Sequence, residues 1–120
     1  MQRTGAVFVS PKGEDVMNRQ FVLGRCIFMT FEWDEEKNII NKQKHKISFE
    51  TAAHVFDDPD YIEMYDFEHS VGEERFIAIG KVGDILFVVF TERGINIRLI
   101  SARLATEAER RLYYDQDINN

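Results

Sequence analysis

The pattern of apolar and polar residues predicts three helices and five strands. Residues 31–33 indicate a short strand, and Asp34 then suits the N-cap of a first helix over about 35–45. Acidic residues begin that helix and basic residues end it, as the helix dipole favours. After Ser48, a candidate N-cap, apolar residues recur at helical spacing and predict a second helix that ends before Pro59. The residues with this spacing are Phe49, Ala52, Ala53 and Phe56.

Four further strands are predicted between Pro59 and the last helix. Two short turns that contain glycine, 82–84 and 92–94, separate the last three strands, so these three form an antiparallel meander. The middle strand of the three is apolar throughout, which is typical of a central strand that is covered on both faces. The four predicted strands span residues 61–67, 75–81, 85–91 and 95–100.

The third helix is predicted from Thr106 and Glu109, which have the spacing of a capping box. The order is then one strand, two helices, four strands and one helix. This order predicts an α+β fold: a small sandwich with a mainly antiparallel four- to five-stranded sheet, two N-terminal helices and one C-terminal helix, with the helices on one face of the sheet. The residues of the third helix region that are expected to pack inward are Leu104, Ala105, Ala108 and Leu112.

The stretch Arg98–Arg103 closes the last strand and contains two arginines and a serine that could bind a ligand. Simple alternation places Ser101 on the face of Leu99, opposite Arg98, while Arg103 turns away from the strand. Two guanidinium groups and a hydroxyl at one sheet edge suit the binding of an anion such as phosphate. From the pattern alone, an equally good alternative is that both arginines are structural and pair with glutamates.

Residues 1–28 differ from the rest of the chain. They contain three glycines and a proline, have weak periodicity, and carry more basic than acidic side chains. We therefore expect an N-terminal extension over residues 1–28 that is not part of the functional domain, and a functional domain over residues 29–120. Deletion of residues 1–28 tests this expectation, because loss of folding would contradict it.

Composition and charge exclude several classes of protein. The single cysteine, Cys26, excludes an internal disulfide and suits a reducing compartment such as the cytoplasm. No apolar run approaches the roughly 20 residues that a membrane helix needs. The formal net charge of −6 is unlike that of a generic nucleic-acid binder. Any such role has to use a local basic patch, and the bulk acidity suits a basic partner.

The three histidines are candidates for proton transfer because histidine titrates near neutral pH. His45 follows two lysines at the end of the first helix and is a candidate base. His54 falls between core positions of the second helix and is interpreted as structural. His69 lies in a loop beside several glutamates and is a candidate general acid. The three do not have the spacing of a zinc site.

Cleavage of RNA without a metal needs only side chains of the kinds present here. A base activates the 2′-hydroxyl, a cation stabilises the pentavalent phosphorane, and an acid protonates the leaving oxygen. Three adjacent carboxylates at residues 57–60 are interpreted as a polar turn, and no cofactor motif is found, so neither a metal nor a cofactor is expected. The candidate acids and bases are His45, His69 and glutamates, and the candidate cations are Arg75, Arg93, Arg98 and Arg103.

A series of short motifs resembles the BrnT-type toxins over about residues 29–114, almost without gaps. The resemblance covers most of the chain and excludes residues 1–28. The motifs are Phe31-x-Trp33-Asp34-x-x-Lys37, Asn41-x-x-Lys44-His45, Ile47-Ser48-Phe49-Glu50-x-Ala52, Val55-Phe56-x-Asp58-Pro59, His69-Ser70-x-x-Glu73-Glu74-Arg75, Ile79-Gly80, Thr91-x-Arg93, Arg98-x-Ile100-Ser101-Ala102-Arg103, Glu109-Arg110 and Tyr113.

The resemblance implies a RelE-like ribonuclease, the toxin of a bacterial type II toxin–antitoxin pair, which cuts RNA and blocks translation in the cytoplasm. It also implies a BrnA-type ribbon-helix-helix antitoxin as partner, which shields the toxin and represses the operon. DNA is then bound only through the antitoxin, and no membrane is involved. The polar residues of the motifs give the predicted site. The catalytic candidates are His45, Glu74, Arg75, Arg93 and Arg103, and the RNA-binding candidates are Lys42, Lys44, Lys46, Arg98 and Ser101.

Two points qualify this prediction. The alternative function is a non-catalytic module, or a degenerate toxin, that only binds a DNA-binding partner protein. The chain also departs from the family at Lys46, where members usually have glycine. A glycine there suits a left-handed residue just past the first helix, so the lysine should cost about 1 kcal/mol if that geometry persists.

Overall fold

A computed structural model describes residues 9–10, 16–22 and 25–116, with side chains from residue 30 onward. The strands are β1 Val9–Ser10, β2 Val16–Val22, β3 Arg25–Glu32, β4 Ile62–Tyr65, β5 Phe76–Val82, β6 Asp84–Arg93 and β7 Asn96–Leu104. The helices are α1 Glu35–His45, α2 Phe49–Ala52 and α3 Glu107–Asp115, and a 3-10 helix over Ala53–Asp57 continues α2.

The sheet is mixed, with the order β3-β7-β6-β5-β4 along its main path. Strands β5 to β7 form the predicted antiparallel meander, and β4 extends it by pairing antiparallel with β5. Strand β3 joins β7 in parallel through Phe31 and Ile97. The prediction of an α+β fold with a mainly antiparallel sheet is confirmed. None of the helices among the described residues is long and apolar enough to span a membrane.

The predicted extension over residues 1–28 contributes strands to this sheet. Strand β2 pairs antiparallel with β3, from Val16 opposite Phe31 to Val22 opposite Arg25, and β1 pairs with β3 in parallel. Residues 25–28 form the start of β3, and residues 1–8, 11–15, 23 and 24 lie outside the described residues. That the functional domain begins near Met29 stays a prediction for the deletion experiment.

The caps of α1 follow the residues predicted for them. The Asp34 carboxylate accepts the backbone N–H groups of Glu36 and Lys37, at 2.9 and 3.3 Å. At the other end, Lys46 is left-handed with φ 65°, and its N–H donates to the Lys42 carbonyl at 2.9 Å. The condition on which the cost of lysine at residue 46 depended, a left-handed backbone, is therefore met.

One face of the sheet is covered by α1, α2 and the 3-10 helix, which together enclose the larger core. The predicted apolar face of the second helix is buried there, with Phe56 packed edge-on against Phe90 at a ring distance of 5.1 Å. Gly80 allows the 3-10 helix to approach β5 closely, since a Cβ at residue 80 would lie 2.7 Å from Val55 Cγ1. The fully buried residues of this core include Phe31, Trp33, Phe49, Ala52, Ala53, Val55, Phe56, Ala78, Val88 and Phe90.

Helix α3 lies on the opposite face, so the prediction that all helices share one face is wrong. Alternation along β5 and β6 leaves Ile79 and Ile85 on this second face, and they need an apolar cover of their own. Tyr113 supplies it and is 6% exposed. The prediction of four inward residues near α3 is only partly correct, because the apolar surface that α3 covers is small and Tyr113 alone covers most of it. Ala105 packs against this cluster, whereas Leu104, Ala108 and Leu112 are exposed.

Candidate functional site

A β-bulge between β6 and β7 determines on which face of the sheet the side chains of Ser101 and Arg103 lie. Val89 pairs with Ser101 and Phe90 pairs with Leu99, so Ile100 is the extra residue. The bulge turns Ser101 to the face opposite Leu99. Alternation from residue 98 had placed it with Leu99, and that prediction is wrong. Arg103 is still within β7 and does not turn away from it, again contrary to the sequence prediction.

The face that carries α3 holds an open groove of about 690 Å³. Its floor is apolar and comes from the central strands, through Ile77, Phe87 and Val89. Ser101 and Arg103 enter it from β7, and Glu109 enters it from α3. The end of β4 and the loop after it contribute the opposite wall, which contains Tyr65, Asp66, Phe67, Glu68 and His69.

The guanidinium of Arg103 is the most constrained cation in this groove. Its Nη1 and Nη2 atoms donate to the two carboxylate oxygens of Glu109, at 2.8 and 2.9 Å. Its central carbon lies 3.9 Å from the ring centre of Phe87. The hydrogen bonds with Glu109 raise the pKa of Arg103 above its usual range, and the same bonds lower the pKa of Glu109. Both groups are therefore charged at neutral pH.

His69 lies on the other wall and is oriented by Asp66. The Asp66 carboxylate is almost buried and lies 2.9 Å from His69 Nδ1, while the His69 side chain is 63% exposed. The Ser70 hydroxyl ties the loop together, since it donates to the Asp66 carbonyl at 2.6 Å and accepts the Arg75 N–H at 2.9 Å. His69 was recognised from the sequence as a candidate acid, but Asp66 was missed. The sequence pattern that could have identified Asp66 is a carboxylate three residues before a histidine, directly after a strand.

The other strand arginines are held in ion pairs outside the groove. Arg98 lies across from Thr91 in the sheet, and its Nη1 is 2.5 Å from a carboxylate oxygen of the nearly buried Glu32. Arg93 pairs with Glu73 at 3.3 Å, with both side chains largely exposed. The pairing with glutamates that the sequence left open as an alternative is present at Arg98, Arg103 and Arg93.

Arg75 and Glu74 lie just before β5, at the end of the loop that carries His69. Arg75 is half-buried and its carbonyl accepts the N–H of Asp66 at 2.9 Å, which keeps it beside the Asp66–His69 pair. The side chain of Glu74 is exposed, and its carbonyl accepts the hydroxyl of Thr91 at 2.6 Å. Neither residue lines the groove.

The basic segment at the end of α1 lies on the other side of the sheet from the groove. Its exposed lysines, Lys42, Lys44 and Lys46, surround the partly exposed His45. Asn41, one turn earlier, exchanges two hydrogen bonds with the backbone of Ala102, at 2.8 and 3.1 Å, on the outer edge of β7. Within residues 30–116, no hydrogen bond or ion pair joins this segment to Arg103. The structure therefore does not bring the predicted base and the predicted cation into contact.

The acidic turn at residues 57–60 is used for structure. Asp58 accepts the Tyr113 hydroxyl at 2.6 Å and the Lys81 N–H at 2.8 Å, and so joins α3 to β5. Burial, and then the Asp58 carboxylate, raise the pKa of Tyr113 well above its usual range. His54 is exposed rather than internal and pairs with Asp57 at 2.8 Å. In the part of the chain that the structure describes, no three metal-ligating side chains form a cluster.

The chain is similar to known proteins in both sequence and fold. A family model described as "Ribonuclease toxin, BrnT, of type II toxin-antitoxin system" matches residues 33–109, which include the basic segment and every residue that lines the groove except Leu112. The fold is similar to the crystal structure of the Brucella abortus ribonuclease toxin BrnT, with 25% sequence identity and a TM-score of 0.50. That match covers 62% of this chain and 94% of the other. None of the curated proteins searched matches the chain.

Proposed function

Because this chain belongs to the BrnT family of ribonuclease toxins of type II toxin–antitoxin systems, we propose that it is a metal-independent endoribonuclease whose cuts in RNA stop translation. The observation that carries the proposal is the groove, where a fixed guanidinium, a hydroxyl and a carboxylate-bound histidine line one open space. The groove is open to solvent, has a volume of about 690 Å³ and offers an apolar floor on which a base can lie.

Each step of the cleavage has a candidate group. The 2′-oxygen attacks the phosphorus and the bond to the 5′-oxygen breaks, which leaves a cyclic phosphate and a 5′-hydroxyl. Arg103 and Ser101 bind the phosphate oxygens as negative charge develops on them. His69, held by Asp66 through Nδ1, uses Nε2 for one of the two proton transfers. Glu74, at the end of the same loop, is the candidate for the other transfer. His45, the base predicted from the sequence, lies across the sheet from this phosphate and takes no part in the step.

The remaining basic residues extend the RNA path. The last turn of α1 is attached to the edge of β7 at Ala102, directly before Arg103. A strand that passes over this edge reaches Lys42, Lys44 and Lys46, which neutralise its phosphates. Arg75, Arg93 and Arg98 lie beyond the other end of the groove and serve the phosphates on that side.

Expression of the full chain in bacteria tests the proposal. We expect growth arrest and fragmented RNA with the parent chain, and neither with Arg103→Ala or with His69→Gln. The matched controls are Arg111→Ala and His54→Gln. Arg111 is exposed on α3 and its ion pair with Glu107 is long, at 3.8 Å. His54 is exposed and does not line the groove. Soluble, folded parent chain that leaves growth and RNA intact would refute the catalytic proposal. Addition of a chelator to the purified protein tests metal independence, and loss of cleavage would contradict it.

The partner in this proposal is a BrnA-type ribbon-helix-helix antitoxin that binds the toxin in the cytoplasm and carries the DNA-binding surface. The net charge of −6 supports a basic partner, because opposite charges speed association and exclude wrong partners. Co-expression with the product of the neighbouring reading frame should restore growth and give a complex whose association slows at high salt. An adjacent frame that encodes no such protein would argue against this pairing.

A second candidate is a non-catalytic module that binds a DNA-binding partner. The pairing of Arg93, Arg98 and Arg103 with glutamates favours it, because paired arginines can be purely structural. The expression experiment separates the two. A chain that binds the antitoxin but leaves RNA intact is the module or a degenerate toxin.

A further inference from the structure

We infer that Glu109 is a positioning residue, which holds Arg103 so that one edge of its guanidinium stays open to a phosphate in the groove. The inference rests on the proposed function, in which Arg103 binds the phosphate of the RNA. It adds a residue on α3 that the motif-based site did not include.

The hydrogen bonds of Arg103 leave a definite edge free. A guanidinium has five N–H donors in a planar fork. Nη1 uses both of its donors, one to Glu109 at 2.8 Å and one to the Leu104 carbonyl at 3.1 Å. Nη2 uses one donor, to Glu109 at 2.9 Å. The second Nη2–H and the Nε–H point to the same side and have no acceptor among the described residues, and this pair matches two oxygens of a phosphate.

Glu109 is itself fixed, which makes it suitable as an anchor. One of its carboxylate oxygens also accepts the backbone N–H of Thr106 at 2.8 Å, as part of the capping box of α3. The Glu109 side chain is only 18% exposed. Two hydrogen bonds therefore set the direction of the guanidinium, and the Phe87 ring beneath it sets its plane. Within residues 30–116, the other ion-paired arginines lack this combination, since none of them has both two bonds to one carboxylate and a ring contact.

The free edge belongs to a surface that is suited to an anion. Arg103 and Ser101 lie two residues apart on one face of β7, and both line the groove. Because the Glu109 charge is satisfied by two hydrogen bonds from Arg103, it repels a phosphate less than an unpaired carboxylate does. A phosphate bound at the Nε–Nη2 edge also lies within the groove that His69 lines from the opposite wall.

The test compares Glu109→Gln with two matched controls and one conservative variant of the full chain. Glu107→Gln makes the same charge change one residue into α3, at a side chain that is 75% exposed and does not bond to Arg103. Thr106→Ala weakens the helix cap but keeps the pair between Glu109 and Arg103. Glu109→Asp keeps the charge and is one methylene shorter. Thermal melts establish the temperature at which all four variants are folded, and kinetics are measured below it.

The first readout is cleavage of a short RNA. We expect kcat to fall by about 10- to 100-fold in Glu109→Gln, with a smaller change in KM, because a misdirected guanidinium loses transition-state contacts first. Glu109→Asp should recover part of the loss, and Glu107→Gln and Thr106→Ala should match the parent. Equal kcat in Glu109→Gln and Glu107→Gln would overturn the inference, as would a higher kcat in Glu109→Gln, which would mean that Glu109 sequesters Arg103.

The second readout does not depend on cleavage. The side-chain Nε–H signal of Arg103, assigned by its loss in Arg103→Lys, is followed by NMR while a 2′-O-methyl RNA oligonucleotide is added. We expect a saturating shift in the parent and in Glu107→Gln, and a shift that needs about tenfold more oligonucleotide in Glu109→Gln. No shift in the parent overturns the inference even if RNA is cleaved. A shift without cleavage refutes only the proposed function.

Discussion

Replacement of Lys46 by glycine should stabilise the protein. Among the described residues, Lys46 alone combines a side chain with a positive φ, at 65°. A left-handed residue with a Cβ costs roughly 1–2 kcal/mol, because the Cβ approaches the following carbonyl oxygen. Glycine removes this strain but increases the freedom of the unfolded chain, which offsets about 0.4–1 kcal/mol. The expected gain in the free energy of unfolding is thus about 1 kcal/mol.

Urea unfolding of the full chain measures this gain. Lys46→Gly should raise the unfolding midpoint at an unchanged slope, and raise Tm by about 3–6 °C. Lys46→Ala is the matched control, since alanine keeps the Cβ and so should gain nothing. The lysine side chain itself contributes little, because its bond to the Gln43 carbonyl, at 3.2 Å, is exposed to solvent. Lys44→Gly, within α1, should instead lose about 1 kcal/mol.

The comparison of Lys46→Gly with Lys46→Ala also shows which outcomes would contradict the prediction. Equal stability of Lys46→Gly and Lys46→Ala would show that the left-handed backbone stores no strain in this protein. A loss of stability in Lys46→Gly would show that residue 46 is not left-handed. Both variants remove the same positive charge, so they should weaken RNA binding equally if Lys46 contacts a phosphate.

Three further outcomes follow from the packing and the ion pairs. Gly80→Ala should lower the free energy of unfolding by about 1–3 kcal/mol, because its Cβ would overlap Val55, and unchanged stability in urea would contradict that. Tyr113→Phe should cost about 1–2 kcal/mol in the same assay, since the Asp58 carboxylate loses a donor, and an equally stable variant would show that water replaces it. The lowered pKa of Glu109 makes its contribution fully present above about pH 5, and it is lost as the pH falls through the lowered value. The stability difference between the parent and Glu109→Gln should therefore shrink on acidification, and a difference that grows toward acid would reverse the assigned sign.

Much of the local structure follows from the sequence because it depends on neighbours in the chain. Asp34, Ser48 and Thr106 cap the three helices as predicted, and each does so by a side-chain bond to an N–H two or three residues later. The short glycine turns likewise lead to the antiparallel meander. The resemblance to a family that usually has glycine at residue 46 raised the possibility of a left-handed residue there, which periodicity did not indicate.

The arrangement of the candidate site depended on contacts between distant residues. A bulge at Ile100 reversed the direction of Ser101, and one extra residue in a strand has no signature in a period of two. The side of the sheet that α3 covers was set by which apolar residues the strands left uncovered, namely Ile79 and Ile85. The partners of Arg98 and Arg103 also emerged only in the fold, since any of 21 acidic residues was available to them in the sequence.

From residue 31 onward, the sequence by itself thus determined the kinds of element, their caps and the family, because these depend on short-range periodicity, hydrogen bonds near helix ends and motif order. Strands β1 and β2 were not predicted, because residues 1–28 have weak periodicity. The tertiary structure alone decided that Arg103, Ser101, His69 and Asp66 share a groove, while His45 and its lysines lie across the sheet. Such convergence is set by strand register and helix packing, which sum many weak long-range contacts. No single residue carries that information.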